Sequence, residues 1–207
     1  YELVAYRTDR VGRRLYDIRF RDLATGKDLP DVISGTSGGC AFADDRTVFY
    51  TRKDRTLRSA YVYRHVLGTD PAQDVLVFEE KDAAYSCDVY RSRSERFVMI
   101  MSGSTLSSEH RYLSVEQPMG EFTVFLPREE EHEHSVMHVP PAGGRPGKWH
   151  ILTNWDAQNF RLMECAEGET QDKRKWKETI AHRPDVLLED VETFRDHLAI
   201  TERREGL

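Results

Sequence analysis

Val48-Phe49-Tyr50-Thr51-Arg52-Lys53-Asp54 is a short apolar run that passes straight into a charged turn. The same pattern recurs as Ala-Tyr-Arg-Thr-Asp around Tyr6, Met-Ile-Met-Ser-Gly-Ser around Ile100, Ile-Leu-Thr-Asn around Leu152 and Ala-Ile-Thr-Glu-Arg around Ile200. Taken with Tyr50, successive centres stand 44, 50, 52 and 48 residues apart. A spacing of about 45–50 residues holding about four strands is the signature of a β-propeller blade. A β-sandwich is the alternative, but a sandwich needs no repeat of nearly constant length.

The segments between these centres agree. Leu15, Tyr16, Ile18 and Phe20 alternate with charged residues at close to a period of two. Ala24-Thr25-Gly26-Lys27 follows as a hairpin signal. Asp28 to Ile33, Tyr61 to Leu67, Asp74 to Phe78, Cys87 to Tyr90, Phe97 to Met101, Arg111 to Val115 and Phe122 to Leu126 are further strand candidates. His134 to Val139, Trp149 to Leu152, Phe160 to Met163, Trp176 to Ile180, Leu187 to Glu192 and Leu198 to Thr201 complete them. Only Glu169 to Trp176 has a helix-compatible composition, and it is too polar to dock as a helix. Many short strands without helices mean an all-β chain. Four strands each fall in Cys40–Phe78, Cys87–Leu126 and His134–Ile180, with three more before them and two after. The expected fold is a partial β-propeller of three full four-stranded blades and two partial ones. Each blade buries its faces only against its neighbours, so open blade edges should be sticky and favour self-association.

Composition sets the limits. The 207 residues are 39% hydrophobic, 10% aromatic and 32% charged, which leaves enough apolar side chains for a core. Thirty Lys and Arg against 36 Asp and Glu give a net charge of -6, which argues against a nucleic-acid partner. The longest apolar stretch, Phe97 to Met101, is far below the roughly 18 residues of a membrane helix, so no membrane partner is expected. Cys40, Cys87 and Cys165 are an odd, widely spaced set with neither disulfide nor zinc-ligand spacing, which suggests a cytoplasmic protein. The chain opens on Tyr1 rather than Met, already in a strand pattern, and ends in a strand that runs into a turn at Leu207. It is expected to be an excised piece of a longer protein.

Specific words stand in this frame: Arg13-Arg14-Leu15-Tyr16-Asp17-Ile18-Arg19-Phe20, Phe49-Tyr50-Thr51-Arg52-Lys53-Asp54, Arg64-His65-Val66-Leu67-Gly68-Thr69 and Glu79-Glu80-Lys81-Asp82. Phe125-Leu126-Pro127-Arg128, His132-Glu133, Asn159-Phe160-Arg161-Leu162-Met163 and Val186-Leu187-Leu188-Glu189-Asp190 follow. In order and spacing, over essentially the whole chain, they resemble the propeller of the oligopeptidase B group in the prolyl oligopeptidase superfamily. The resemblance implies a seven-bladed propeller joined to an α/β-hydrolase domain whose Ser-Asp-His triad cleaves peptides after Arg or Lys. The propeller would cover that active site and exclude large folded proteins. Residues 1–207 would then be a propeller fragment from which the catalytic α/β-hydrolase domain is absent. Pro140 to Gly147 look longer than the family's connection there and read as a surface loop.

Candidate chemistry is sparse. Gly35-Thr36-Ser37-Gly38-Gly39 satisfies Gly-x-Ser-x-Gly, but a nucleophile elbow needs a strand before the serine and a helix after it. Here Cys40-Ala41-Phe42-Ala43 and the turn Asp44-Asp45-Arg46 follow, so the segment reads as a flexible link between blades. Glu129-Glu130-Glu131-His132-Glu133-His134 carries metal-ligand types, and His132 and His134 would share a face if extended. Without a local third ligand it reads as a solvated acidic connection, and neither a metal nor a cofactor is expected. A propeller glycosidase would need a selected pair of carboxylates, which Asp and Glu scattered through turns do not supply. Trp149, Trp155 and Trp176 read as blade packing.

Arg13 and Arg14, just past the Thr8–Gly12 turn, are the candidates for a substrate-gate or domain-interface role, because arginine forks suit carboxylates across an interface. No catalytic residue is expected within the chain. The sequence therefore points to the non-catalytic propeller segment of a serine peptidase, with peptide substrates and the parent's hydrolase domain as partners. The alternative is a stand-alone propeller scaffold for proteins. A downstream Gly-x-Ser-x-Gly between a strand and a helix in the parent reading frame would select the peptidase.

Overall fold

The computed structural model describes residues 2–194 and 197–205; Tyr1 and the closing Gly206-Leu207 lie outside the described residues. Sixteen strands form among them. They are β1 (Leu3–Thr8), β2 (Tyr16–Asp22), β3 (Asp28–Phe42), β4 (Thr47–Lys53), β5 (Ser59–Val66), β6 (Val75–Glu79), β7 (Ser86–Arg91) and β8 (Phe97–Gly103). Then come β9 (Ser108–Ser114), β10 (Thr123–Val124), β11 (His134–Val139), β12 (Lys148–Thr153), β13 (Arg161–Ala166), β14 (Lys177–Ile180), β15 (Val186–Thr193) and β16 (Leu198–Arg204). The sheets run β1-β2-β3-β4-β5-β6, β10-β9-β8-β7, β11-β12-β13-β14 and β15-β16, with neighbours consecutive in the chain throughout. This is the meander of propeller blades, and the all-β partial propeller read from the sequence is the fold.

The first sheet holds six strands because β3 serves two sets. Its first half pairs with β2, from Arg21 opposite Asp28 to Tyr16 opposite Thr36. Its second half pairs with β4, from Thr36 opposite Arg52 to Phe42 opposite Val48. Between them Gly35 and Gly38 take positive φ (72° and 103°), which interrupts both ladders and lets one strand leave one set and join the next. The glycine-rich stretch expected to be a flexible link is therefore a bend inside a continuous strand. Gly39 is needed for another reason: a Cβ there would overlap the Asp88 carboxylate and the Thr51 hydroxyl.

The chain divides into two compact units. The first is Tyr1–Arg91, Phe97–Ser102 and Tyr112–Thr123; the second is Ser92–Arg96, Gly103–Arg111 and Val124–Leu207. In the first, Ile18, Phe20, Ile33, Val48 and Tyr50 form a buried cluster on one face of the six-stranded sheet. Phe49 and Val62 point the other way and pack with Cys87, Val89, Val98, Ile100 and Leu113. Alternation along β4 thus buries both faces, as a sheet stacked between neighbours requires. In the second unit Leu152, Leu162, Leu188 and Val191 form the core, while Trp149 is fully buried against Phe125. Trp155 stays half-buried beneath the Arg161 and Lys173 cations.

Two local details differ from the expected pattern. β10 keeps only Thr123–Val124, since Phe125 is buried in the packing around Trp149 and Pro127 has no N–H to extend a ladder. The polar stretch Glu169 to Trp176 contributes a single 3₁₀ turn, Lys173–Lys175, opened by the Asp172 carboxylate accepting from the Arg174 N–H. Pro140 to Pro146 is an exposed loop between β11 and β12, as read from its composition. All three cysteines are free, and burial pushes each thiol up to about 12. Among the described residues no helix is long and apolar enough to cross a membrane.

Candidate functional site

Arg13 and Arg14 stand on the β1–β2 connection, and both are exposed. One carboxylate organises that loop. Asp9 Oδ1 accepts from the Val11 and Gly12 N–H groups at 3.1 and 2.8 Å, and Oδ2 from the Arg14 N–H at 2.7 Å. These donors, the Arg14 amide foremost, hold the Asp9 carboxyl below its usual range. Arg14 itself sits at φ 55° and its carbonyl accepts from Lys53 Nζ at 2.8 Å. The loop is therefore preset, and it displays two cations beside the exposed apolar side chains of Val11 and Leu15. An apolar and cationic tip on a fixed loop suits a protein surface carrying carboxylates.

Ser37 has no catalytic setting. It lies within β3, and its hydroxyl shares a hydrogen bond of 3.0 Å with the Ser59 hydroxyl. The chain continues from it through β3 to Phe42 and then a turn into β4, so no helix N-terminus adjoins the serine to supply an oxyanion hole.

The second unit holds a three-residue array that the sequence did not reveal. His138 Nδ1 is 2.8 Å from Ser94 Oγ, and its Nε2 is 2.8 Å from Glu167 Oε1. The residue types are those of a hydrolytic triad, but the surroundings make it a tie. Ser94 Oγ is engaged by Ser92 Oγ at 3.0 Å and accepts from the Arg96 N–H at 3.4 Å. The His138 side chain is wholly enclosed, and burial lowers its pKa against the pull of Glu167. Gly147 makes room for it, because a Cβ at that position would overlap the Glu167 carboxylate. The array adjoins a cavity of about 1190 Å³ whose walls include Arg93, Lys148, His150, Glu164 and Phe194. Several polar groups there pair with one another or with neighbours: Lys148 with Glu164, His150 with Thr193, and Arg93 with Glu192.

His132 and His134 do share a face, with rings stacked at 4.9 Å, but both are buried, at 5% exposure each. Their half of the acidic segment is not a solvated connection, because β11 begins at His134 and draws it into the core. Among the described residues no group of three or more His, Cys, Asp or Glu is placed to hold a metal ion.

Comparison with known proteins agrees with this geometry. A family model described as the prolyl oligopeptidase N-terminal beta-propeller domain matches residues 1–207. The chain is 41% identical over 208 residues to a dipeptidyl aminopeptidase BI of Pseudoxanthomonas mexicana, covering 99% of this chain and 28% of that protein. It is 30% identical over 213 residues to a protease 2 of Moraxella lacunata, covering 99% of this chain and 29% of that one. The solved oligopeptidase B from Leishmania major superposes with a TM-score of 0.88 at 28% identity, covering 100% of this chain and 28% of that structure. The chain thus spans between a quarter and a third of the length of these three relatives.

Proposed function

Because the chain belongs to the N-terminal β-propeller domain family of the prolyl oligopeptidases, we propose that it is the non-catalytic, access-restricting part of an oligopeptidase B-like serine endopeptidase that cleaves short peptides after Arg or Lys. The observation that carries this is the match over residues 1–207 to peptidases of which the chain spans little more than a quarter. In such an assembly the propeller selects by exclusion: an extended peptide passes and a folded domain does not. Its partners are the peptide and the hydrolase domain of the parent chain. The three free thiols fit a reducing, cytoplasmic setting.

The full-length protein is expected to hydrolyse a blocked reporter ending in Arg and a short Arg-containing peptide. It should spare the same peptide sequence when that is grafted into a stable folded domain. Comparable cleavage of both would remove the exclusion role. Ser37→Ala should leave turnover within about twofold of the parent; a loss of a hundredfold would make Ser37 a catalytic group after all. The 41% identity to a dipeptidyl aminopeptidase favours one second reading, in which the parent releases dipeptides from free amino termini. A block on the substrate's amino terminus separates the two, since it would abolish that activity and leave an endopeptidase intact.

Within this reading Arg13 and Arg14 make the contact with the hydrolase domain or gate its entrance. The preset loop supports the assignment, because cations held in place lose less conformational entropy on pairing. Double-mutant cycles in the full-length protein, pairing Arg13→Ala and Arg14→Ala with acidic positions on the hydrolase surface, should give coupling of about 1 kcal/mol or more for at least one pair. Coupling indistinguishable from zero at every pair would return both arginines to the solvent.

A further inference from the structure

Three histidines in the second unit meet where the start of β9 faces the start of β11. His110, His132 and His134 are 2%, 5% and 5% exposed. The His134 ring lies 4.9 Å from that of His132 and 5.1 Å from that of His110. The backbone around them is joined through the same residues. Ser108 N–H donates to His132 O at 3.0 Å, His134 N–H to Ser108 Oγ at 2.8 Å, and His110 Nε2–H to His134 O at 2.9 Å. Phe125 N–H donates to His110 O at 2.8 Å. His132 Nε2 meets Thr153 Oγ1 at 2.8 Å.

Two nitrogens are left over. His132 Nδ1 and His134 Nε2 are buried without a hydrogen-bond partner. On a neutral ring an idle nitrogen can keep its lone pair at small cost. A proton added there becomes a buried donor with no acceptor, on a charged ring. The charges facing the stack do not help. Lys173 raises the cost of a positive charge on His132 and His134. The Glu129 carboxylate stands 3.9 Å from His132 Nδ1, but it is half exposed and held by Lys173 Nζ at 2.6 Å. Phe125 closes the His134 side.

We propose that His110, His132 and His134 form an acid-operated latch, whose protonation releases residues 129–134 and the start of β11 from β9. The direction follows from linkage. Burial pushes His110 down to about 4, and burial with neighbouring positive charge lowers His132 and His134. The closed form is therefore fully favoured above the ordinary histidine value of about 6.5. Below it the open form takes up protons that the closed form refuses, and gains up to about tenfold per pH unit from each ring.

The test is backbone hydrogen exchange in the full-length protein at pH 7.5 and pH 5.0, corrected for the intrinsic exchange rate. Segments covering 108–110, 125 and 132–134 should lose at least tenfold in protection at the lower pH, while β4 and β5 change little. His134→Gln and His132→Gln cannot titrate, and each should remove a large part of that loss. His138→Gln, outside the stack, should preserve it. Equal loss across the whole propeller, or an unchanged response in both variants, would overturn the latch. Should either variant fail to fold, wild-type exchange at the histidine ring C–H positions decides. Midpoints near 6.5 for all three rings would end the proposal.

Discussion

His65→Leu is expected to lower the stability of the propeller by about 3–5 kcal/mol, the cost of removing the ring that two buried carboxylates share as a partner. His65 is fully enclosed, with Nδ1 2.7 Å from Asp74 Oδ1 and Nε2 3.3 Å from Asp31 Oδ1. The two carboxylates have side-chain exposures of 3% and 4%. They also anchor their surroundings: Asp31 accepts from the Gly68 N–H and Asp74 from the Tyr50 hydroxyl. Leucine fills the space beside Phe20, against which the imidazole now stacks, but takes one hydrogen-bond partner from each of two buried carboxylates. A urea titration of the full-length protein followed by circular dichroism measures the effect. Combining His65→Leu with Asp31→Asn and Asp74→Asn should recover most of the loss, because the uncompensated charge is then gone. A single variant within 1 kcal/mol of the parent, on the scale set by buried pairs, would show that the triad contributes nothing.

Phe49→Ala should cost a comparable 3–5 kcal/mol, by loss of apolar burial and by the cavity left behind. Phe49 has no exposed surface and meets Phe122 edge-on at 5.4 Å. It lies in the cluster that joins β4 and β5 to β7, β8 and β9, so no single sheet can collapse to fill the gap. Phe49→Leu, close to volume-conserving, should cost under about 1.5 kcal/mol. Equal effects from the two variants would mean that the site is loosely packed.

Much of this architecture is written in the order of residues. Alternation around Ile18 and Val62 marks strands that the structure contains, because a sheet sends successive side chains to opposite faces. The repeat of about 50 residues is visible because each blade reuses the same local pattern. The course of β3 was hidden, since Gly35 and Gly38 carry the composition of a loop whether the chain leaves the sheet or only bends within it. The histidine stack was hidden for a different reason. His110 and His134 stand 24 residues apart in the chain, and only the pairing of Ser108 with His132 and His134 brings them together. The acidic run before His134 pointed the other way, toward water. Ser94, His138 and Glu167 likewise carry no shared local signature. The exposed Arg13 and Arg14 could be placed because a turn signal stands just before them, although the Asp9 carboxylate that presets their loop was not foreseen.

The continuous course of β3 bears on how this protein can be remodelled. A peptide epitope or fluorescent reporter spliced in at Gly35–Gly39 would pry apart a single ribbon stitched on both sides, however linker-like those glycines look. The exposed bend at Pro140–Pro146 is the safer graft point, for its backbone closes on itself between Ala142 and Arg145.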